Sequence, residues 1–196
     1  MLASGNPGKL RELRHALAGW EIEPLEAGDY PPEVGETYYA NARAKAVFGR
    51  TIDRSRAWVL GEDSGLEVDG LGGRPGIQSA RFAKGAHVPR LLDELEGVDG
   101  DGRRARYVCE LVALAPGGDE HRGTGILEGR IAEQPQGSGG FGFDPIFVPD
   151  GEKRTVADLG DEWKADNSHR ARAAAGLKRA LESPRAAPGV PGRATS

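Results

Sequence analysis

Leu10, Leu13 and Leu17 recur at helical spacing behind Asn6-Pro7, with Arg11, Glu12 and Arg14 between them. This predicts an amphipathic helix capped by Asn6, with Pro7 in its first turn. Ahead of it Met1-Leu2-Ala3 is apolar but short, which leaves either a stubby first strand or a displaced translation start. The alanines between Glu36 and Val47, together with Tyr39, Ala42 and Ala46, predict a second helix. Ala57 to Leu60 reads as a buried strand that ends in a turn at Gly61-Glu62-Asp63-Ser64-Gly65, before a second short apolar element. Val88, Leu91, Leu92 and Leu95 mark a short helix ended by the segment from Gly97 to Gly102. Residues 104–114 alternate as a strand, Pro116-Gly117-Gly118 turns it, and His121 to Ile131 supplies an antiparallel partner. That hairpin is expected at a sheet edge or in a second lobe. Residues 155–163 carry only patches of apolar and acidic positions. Ala173, Leu177, Ala180 and Leu181 then mark a last helix, with Asp166, Asn167 or Ser168 as its cap.

At 196 residues the chain suits one domain, placed at 1–182. From Ser183 the apolar pattern stops among Pro184, Pro188 and Pro191, so 183–196 reads as a flexible tail. The hydrophobic fraction of 38% and a formal net charge of −4 suit a soluble protein and give no general attraction to nucleic acid or anionic lipid. No run approaches membrane-spanning length and no secretion signal opens the chain, so the cytoplasm is the expected compartment. The single cysteine, Cys109, excludes an internal disulfide framework and alternates with apolar strand positions, which makes it a buried thiol.

Six stretches carry candidate chemistry. In Ser4-Gly5-Asn6-Pro7-Gly8-Lys9 a loop opens a helix, where backbone donors, Ser4, Asn6 and Lys9 can meet phosphate; a capped surface helix accounts for the same residues. Asn41 and Lys45, four apart, share a helix face that can extend those contacts. The adjacent acids Glu62 and Asp63, with Ser64, can hold a divalent cation or polarise water, and Glu33 can join them from an acidic connection; acids and glycines also build ordinary turns. In Gly139-Gly140-Phe141-Gly142-Phe143-Asp144-Pro145 two aromatic surfaces stand beside a carboxylate, as a nucleobase pocket or a packed turn requires. Ser79 and Arg81 either contact substrate or bridge their own bend. His169 and Arg170 fall in the first turn of the last helix, where positive charge needs an acidic neighbour or a ligand oxygen.

Taken in order, these segments resemble the non-canonical purine nucleoside triphosphate pyrophosphatase family, also called inosine or xanthosine triphosphate pyrophosphatases. The resemblance runs from Ser4 to about Leu181. It rests on residues 4–9, Asn41-Ala42-Arg43-Ala44-Lys45-Ala46, Asp63-Ser64-Gly65-Leu66, Pro75-Gly76-Ile77 with Ser79-Ala80-Arg81, the glycine-aromatic run and Ser168-His169-Arg170. It implies an elongated, two-lobed α/β fold with a central mixed sheet flanked by helices, a nucleotide cleft between the lobes, and a homodimer. The implied reaction splits ITP, dITP or XTP between the α and β phosphates, giving monophosphate and pyrophosphate with Mg2+. Carried over by position, Ser4, Asn6, Lys9 and Lys45 are phosphate contacts. Glu33 and Asp63 are metal ligands, Asp63 also handling the attacking water, and Ser64 is a neighbouring polar contact. Phe141 stacks on the base, while Asp144, Lys164, His169 and Arg170 frame or read its edge. The chain departs from the pattern at Glu62, where aspartate is usual, at Ala40 for glutamate, and at Phe143 for tyrosine or tryptophan. A pyrophosphatase for other nucleotides and a non-catalytic nucleotide-binding scaffold are the alternative readings.

Overall fold

The structure, a computed structural model, describes residues 1–27, 29–82 and 85–182, so the segment read as a tail lies outside the described residues. Five strands form one sheet in the order β1-β2-β3-β4-β5: β1 Leu2–Ala3, β2 Val59–Val68, β3 Arg104–Leu114, β4 Glu120–Ile131 and β5 Phe147–Pro149. β1 runs parallel to β2 and the other pairings are antiparallel, so the sheet is mixed. The β3–β4 hairpin is formed with the expected bounds, but β3 is the central strand, not an edge. It exchanges hydrogen bonds with β2 over ten register pairs from Val59↔Leu114 to Val68↔Ala105, and a strand buried on both faces from Tyr107 to Leu114 finds its partners in the interior.

β2 also differs from the turn expected at its acidic residues: it continues without interruption through Glu62, Asp63 and Ser64, all of them buried. Such a run survives inside a sheet because each carboxylate meets a cation, and because side chains alternate between faces. Gly61, Asp63 and Gly65 project to one side; Leu60, Glu62, Ser64 and Leu66 project to the other.

Helices cover both faces. α1 (Pro7–Ala16) starts where Asn6 Oδ1 accepts the backbone N–H groups of Gly8 and Lys9, at 2.9 and 3.3 Å, as its sequence predicts. α2 spans Tyr38–Ile52, a turn longer than its alanines indicate, and is capped by Thr37. It lies against β2 so closely that a Cβ on Gly61 would stand 1.9 Å from the Ala42 carbonyl oxygen. α3 (His87–Glu94) is the short leucine-bearing helix. α4 (Val156–Asn167) is a helix that the patchy pattern conceals, broken at Gly160, whose φ of 88° leaves the helical region. Lys164 belongs to it. α5 (His169–Glu182) follows at once; its first turn is capped by Ser168 Oγ, which accepts the Ala171 N–H at 3.2 Å. α5 crosses β4 at Gly125, where a Cβ would meet the His169 carbonyl at 2.0 Å.

Ala42 and Ala46 of α2 pack on Val112 and Leu114. On the opposite face two clusters form side by side. One joins α1 and α5 to Cys109, Leu111 and Ala113; the other gathers Leu66, Tyr107, Phe143, Phe147 and α3. The cleft opens where these two clusters meet. Among the described residues no helix is long and apolar enough to cross a membrane.

Candidate active site

A cavity of ≈480 Å³ occupies that junction. The first turns of α1 and α5 supply one wall through Asn6, Lys9, His169 and Arg170, α4 adds Lys164, the strands contribute Ser64 and Tyr107, and the glycine-aromatic turn brings Phe141 and Asp144. His87, at the start of α3, lines the far side. Eight of the twelve residues to which the resemblance assigns a role are therefore brought to one cavity.

Its charged groups form an alternating chain. Lys9 Nζ lies 2.6 Å from Glu62 Oε2, and Arg170 Nε donates to Glu62 Oε1 at 3.0 Å. Arg170 Nη1 donates to Glu12 Oε2 at 2.8 Å, and the other Glu12 oxygen pairs with Lys164 at 2.7 Å. Lys164 also donates to Asp144 Oδ2, which accepts the Phe141 N–H at 2.7 Å and so fixes the turn that carries the ring. Burial would push Glu62 up, but Lys9, Arg170 and Lys45 together hold it well below the usual carboxylate range. Burial raises Asp144 despite Lys164.

The Phe141 ring lies under two cations, with Lys164 Nζ 4.2 Å and the Arg170 guanidinium carbon 5.4 Å from its centroid. Phe143, two residues on, turns into the core and packs edge-on with His87. Gly142 between the two rings, at φ 65°, supplies the left-handed turn that separates them. His169 is 3% exposed and neutral, its pKa held well below the ordinary imidazole value by burial and by Arg170. Among the described residues its Nδ1 has no hydrogen-bond partner. Leaving such a buried group unsatisfied costs about 1–3 kcal/mol. Arg170 spends three of its donors on Glu62, Glu12 and Ser64 Oγ (2.7 Å), so the charge in the first turn of α5 has its acidic neighbours.

Ser4, Glu33, Lys45 and Asp63, with Asn41 and Arg81, stand apart from this cavity, whereas Ser79 lines it. Asp63, on the opposite face of β2, accepts from Asn41 Nδ2 at 3.0 Å and from Lys45 Nζ at 3.3 Å. Lys45 also donates to Glu33 Oε1 and to the Glu62 carbonyl at 3.1 Å. The loop bearing Glu33 is held by Asn41, which accepts the Gly35 N–H at 2.8 Å, and by Arg81, which donates to the Glu33 carbonyl at 3.0 Å. Asp63 is raised by burial and by Glu33, against the pull of Lys45; Glu33, less enclosed, is lowered by Lys45 in spite of its burial. Ser4 lines a separate hollow beside Leu25 and Tyr30, its Oγ accepting the Asn6 N–H at 3.3 Å. Ser79 proves to bridge its own bend, accepting from Leu66 N at 2.9 Å and donating to Gly76 O at 2.7 Å.

Two residues of the site escape sequence reasoning. Glu12 sits one turn beyond Lys9 on the same face of α1, a spacing that could have flagged it. Tyr107 stacks on His169 and donates to Asp144 Oδ1 at 3.2 Å, but it reads as one more strand aromatic.

Fold and site together define a mixed-sheet α/β protein whose cleft is lined by cations around an aromatic plate, a chemistry that suits a polyanion bearing a flat ring. Residues 1–180 match the model of the Ham1 family. The chain is 45% identical over 188 residues to a dITP/XTP pyrophosphatase of Symbiobacterium thermophilum, covering 93% of this chain and 92% of that one. Among solved structures, a HAM1 protein from Coxiella burnetii superposes with a TM-score of 0.79 at 32% identity, over 92% of this chain and 96% of that one. A nucleoside-triphosphatase / dITP/XTP pyrophosphatase from Mycobacterium abscessus gives 0.71 at 38%, over 90% and 96%. The chain belongs to the Ham1 family.

Proposed function

We propose that this enzyme hydrolyses ITP, dITP and XTP at the bond between the α and β phosphates, releasing nucleoside monophosphate and pyrophosphate and so clearing damaged purines from the nucleotide pool. The observation that carries the reading is the Phe141 ring beneath Lys164 and Arg170, in one cavity with Lys9 and with His169, whose Nδ1 has no hydrogen-bond partner among the described residues. A purine stacked on Phe141 presents its edge to these groups. Lys164 and the free Arg170 donors meet the 6-oxo oxygen of inosine or xanthine, whereas the 6-amino group of adenine would set donor against donor. Asp144 holds the turn and its lysine in place.

Lys9 and the first turn of α1 receive phosphate oxygens, and Lys45 adds a second cation from α2. Ser4 and Asn6 belong to the phosphate loop through its shape: Asn6 caps the helix and Ser4 holds the Asn6 N–H. Asp63, whose carboxyl is raised, takes the proton from the attacking water.

The donor set also fits a divalent cation. Among the described residues no three acidic, histidine or cysteine side chains converge as a complete cage. Magnesium, however, commonly takes one or two carboxylates and fills its other positions with phosphate oxygens and water. Glu33 and Asp63 already converge on one positive charge, the Lys45 ammonium. When bound there, Mg2+ offsets polyphosphate charge and polarises the scissile bond. We take the working assembly to be a homodimer, which sedimentation at graded concentration checks.

The test is product analysis. ITP incubated with the enzyme and Mg2+ gives IMP and pyrophosphate in equal amounts; IDP and orthophosphate would overturn the proposal.

A further inference from the structure

Glu62 is one residue from Asp63 yet serves a different surface. Its side chain is 0% exposed and stands behind the cavity wall. Its two oxygens are divided between helices that do not follow one another in the chain. Oε2 holds Lys9 of α1 at 2.6 Å, and Oε1 accepts Arg170 Nε of α5 at 3.0 Å and the Cys109 thiol at 3.6 Å. Lys9 reaches the phosphate end of the cleft and Arg170 the base end, so one buried carboxylate neutralises a cation at each.

Resting on the function proposed above, we infer that Glu62 is a positioning residue that couples the phosphate subsite to the base subsite, and that it does not ligate the metal. When phosphate oxygens draw Lys9 forward, the carboxylate it shared is left to Arg170. Arg170, already anchored at Glu12 and Ser64, is then held more firmly with its free donors toward the base. Coupling of this kind is reciprocal: whatever factor pyrophosphate adds to nucleoside affinity, nucleoside adds to pyrophosphate affinity.

The experiment measures inosine binding by calorimetry with and without saturating pyrophosphate, Mg2+ being present throughout. In wild type pyrophosphate tightens inosine about fivefold or more, the lower end of ordinary allosteric factors. In Glu62→Gln the factor falls to within twofold of unity, while the Mg2+ midpoint for pyrophosphate binding stays within threefold of wild type. Glu62→Asp, which keeps the charge and shortens the reach, loses at least half of the coupling; it serves as the readout if the glutamine variant does not fold. No coupling in wild type, full coupling in a folded variant, or a tenfold shift of the Mg2+ midpoint overturns the inference. ITP hydrolysis by wild type is assayed in parallel. If ITP is not hydrolysed, the proposed function fails; if it is hydrolysed without coupling, only the role of Glu62 fails.

Discussion

Tyr107 and His169 stack almost parallel, with ring centroids 4.5 Å apart and planes 7° from each other. The tyrosine comes from the central strand and the histidine from the first turn of α5, so the pair ties sheet to helix at the base end of the cleft. Through Tyr107 the contact extends to Asp144 and from there to the Phe141 N–H. A stack on neutral imidazole also fits the burial that disfavours its protonation.

A pH dependence follows with a definite sign. His169 is lowered in the folded chain, so below the ordinary value of about 6.5 the unfolded chain binds a proton there that the folded one does not. Stability is therefore lost as pH falls through that value. Urea unfolding of wild type and His169→Gln between pH 8 and 5 measures it: the wild type declines more steeply by about one proton's worth, about 1.4 kcal/mol per pH unit. Parallel declines would show that His169 titrates freely.

Asp63→Asn keeps a side chain that can still accept from Lys45, and its thermal unfolding stays close to wild type. Turnover at saturating Mg2+ falls about a hundredfold or more, the usual weight of a proton-accepting group. The acid limb of the wild-type rate profile reports protonation of Asp63. The residual activity of the asparagine variant lacks that limb. An unchanged limb assigns it to another group.

How far the sequence discloses this arrangement depends on the range of the forces involved. The Asn6-Pro7 start of α1, the β3–β4 hairpin and the Leu91/Leu95 face are local patterns, and each is formed where the pattern places it. The strand through Glu62-Asp63-Ser64 is not local: Arg170 stands 108 residues from Glu62, and without such partners two acids beside glycines look like a turn. α4 is masked by Gly160 and by having few buried positions, Val156, Ala157 and Lys164. Residue identities mark nearly all the groups of the cavity. Their division between the faces of β2, which sets Lys45 and Asp63 apart from Lys9 and Arg170, appears only once the strand is known to be continuous.

The two rings of the glycine-aromatic turn separate binding from stability. Phe141→Ala removes the plate under the base and raises KM for ITP tenfold or more, since stacking contributes about 1–3 kcal/mol per base. Its folding free energy changes little. Phe143→Ala empties a core site that is 3% exposed and destabilises the fold by about 3–5 kcal/mol. Denaturant titrations and steady-state kinetics on both variants check the assignment; the reverse pattern would exchange their roles.

Damaged-base hydrolysis itself is tested most directly by kcat/KM for ITP, XTP, GTP and ATP in one preparation, with products identified for each. The 6-oxo group that Lys164 and Arg170 are proposed to meet is shared by guanine, whose rejection therefore depends on the surroundings of its 2-amino group. The account predicts ITP and XTP first, GTP much weaker and ATP weakest, with ITP above ATP by a hundredfold or more, the scale on which unmatched buried donors discriminate. In each case the nucleoside monophosphate and pyrophosphate are released together. Equal values for ITP and ATP, or a preference for ATP, would contradict it.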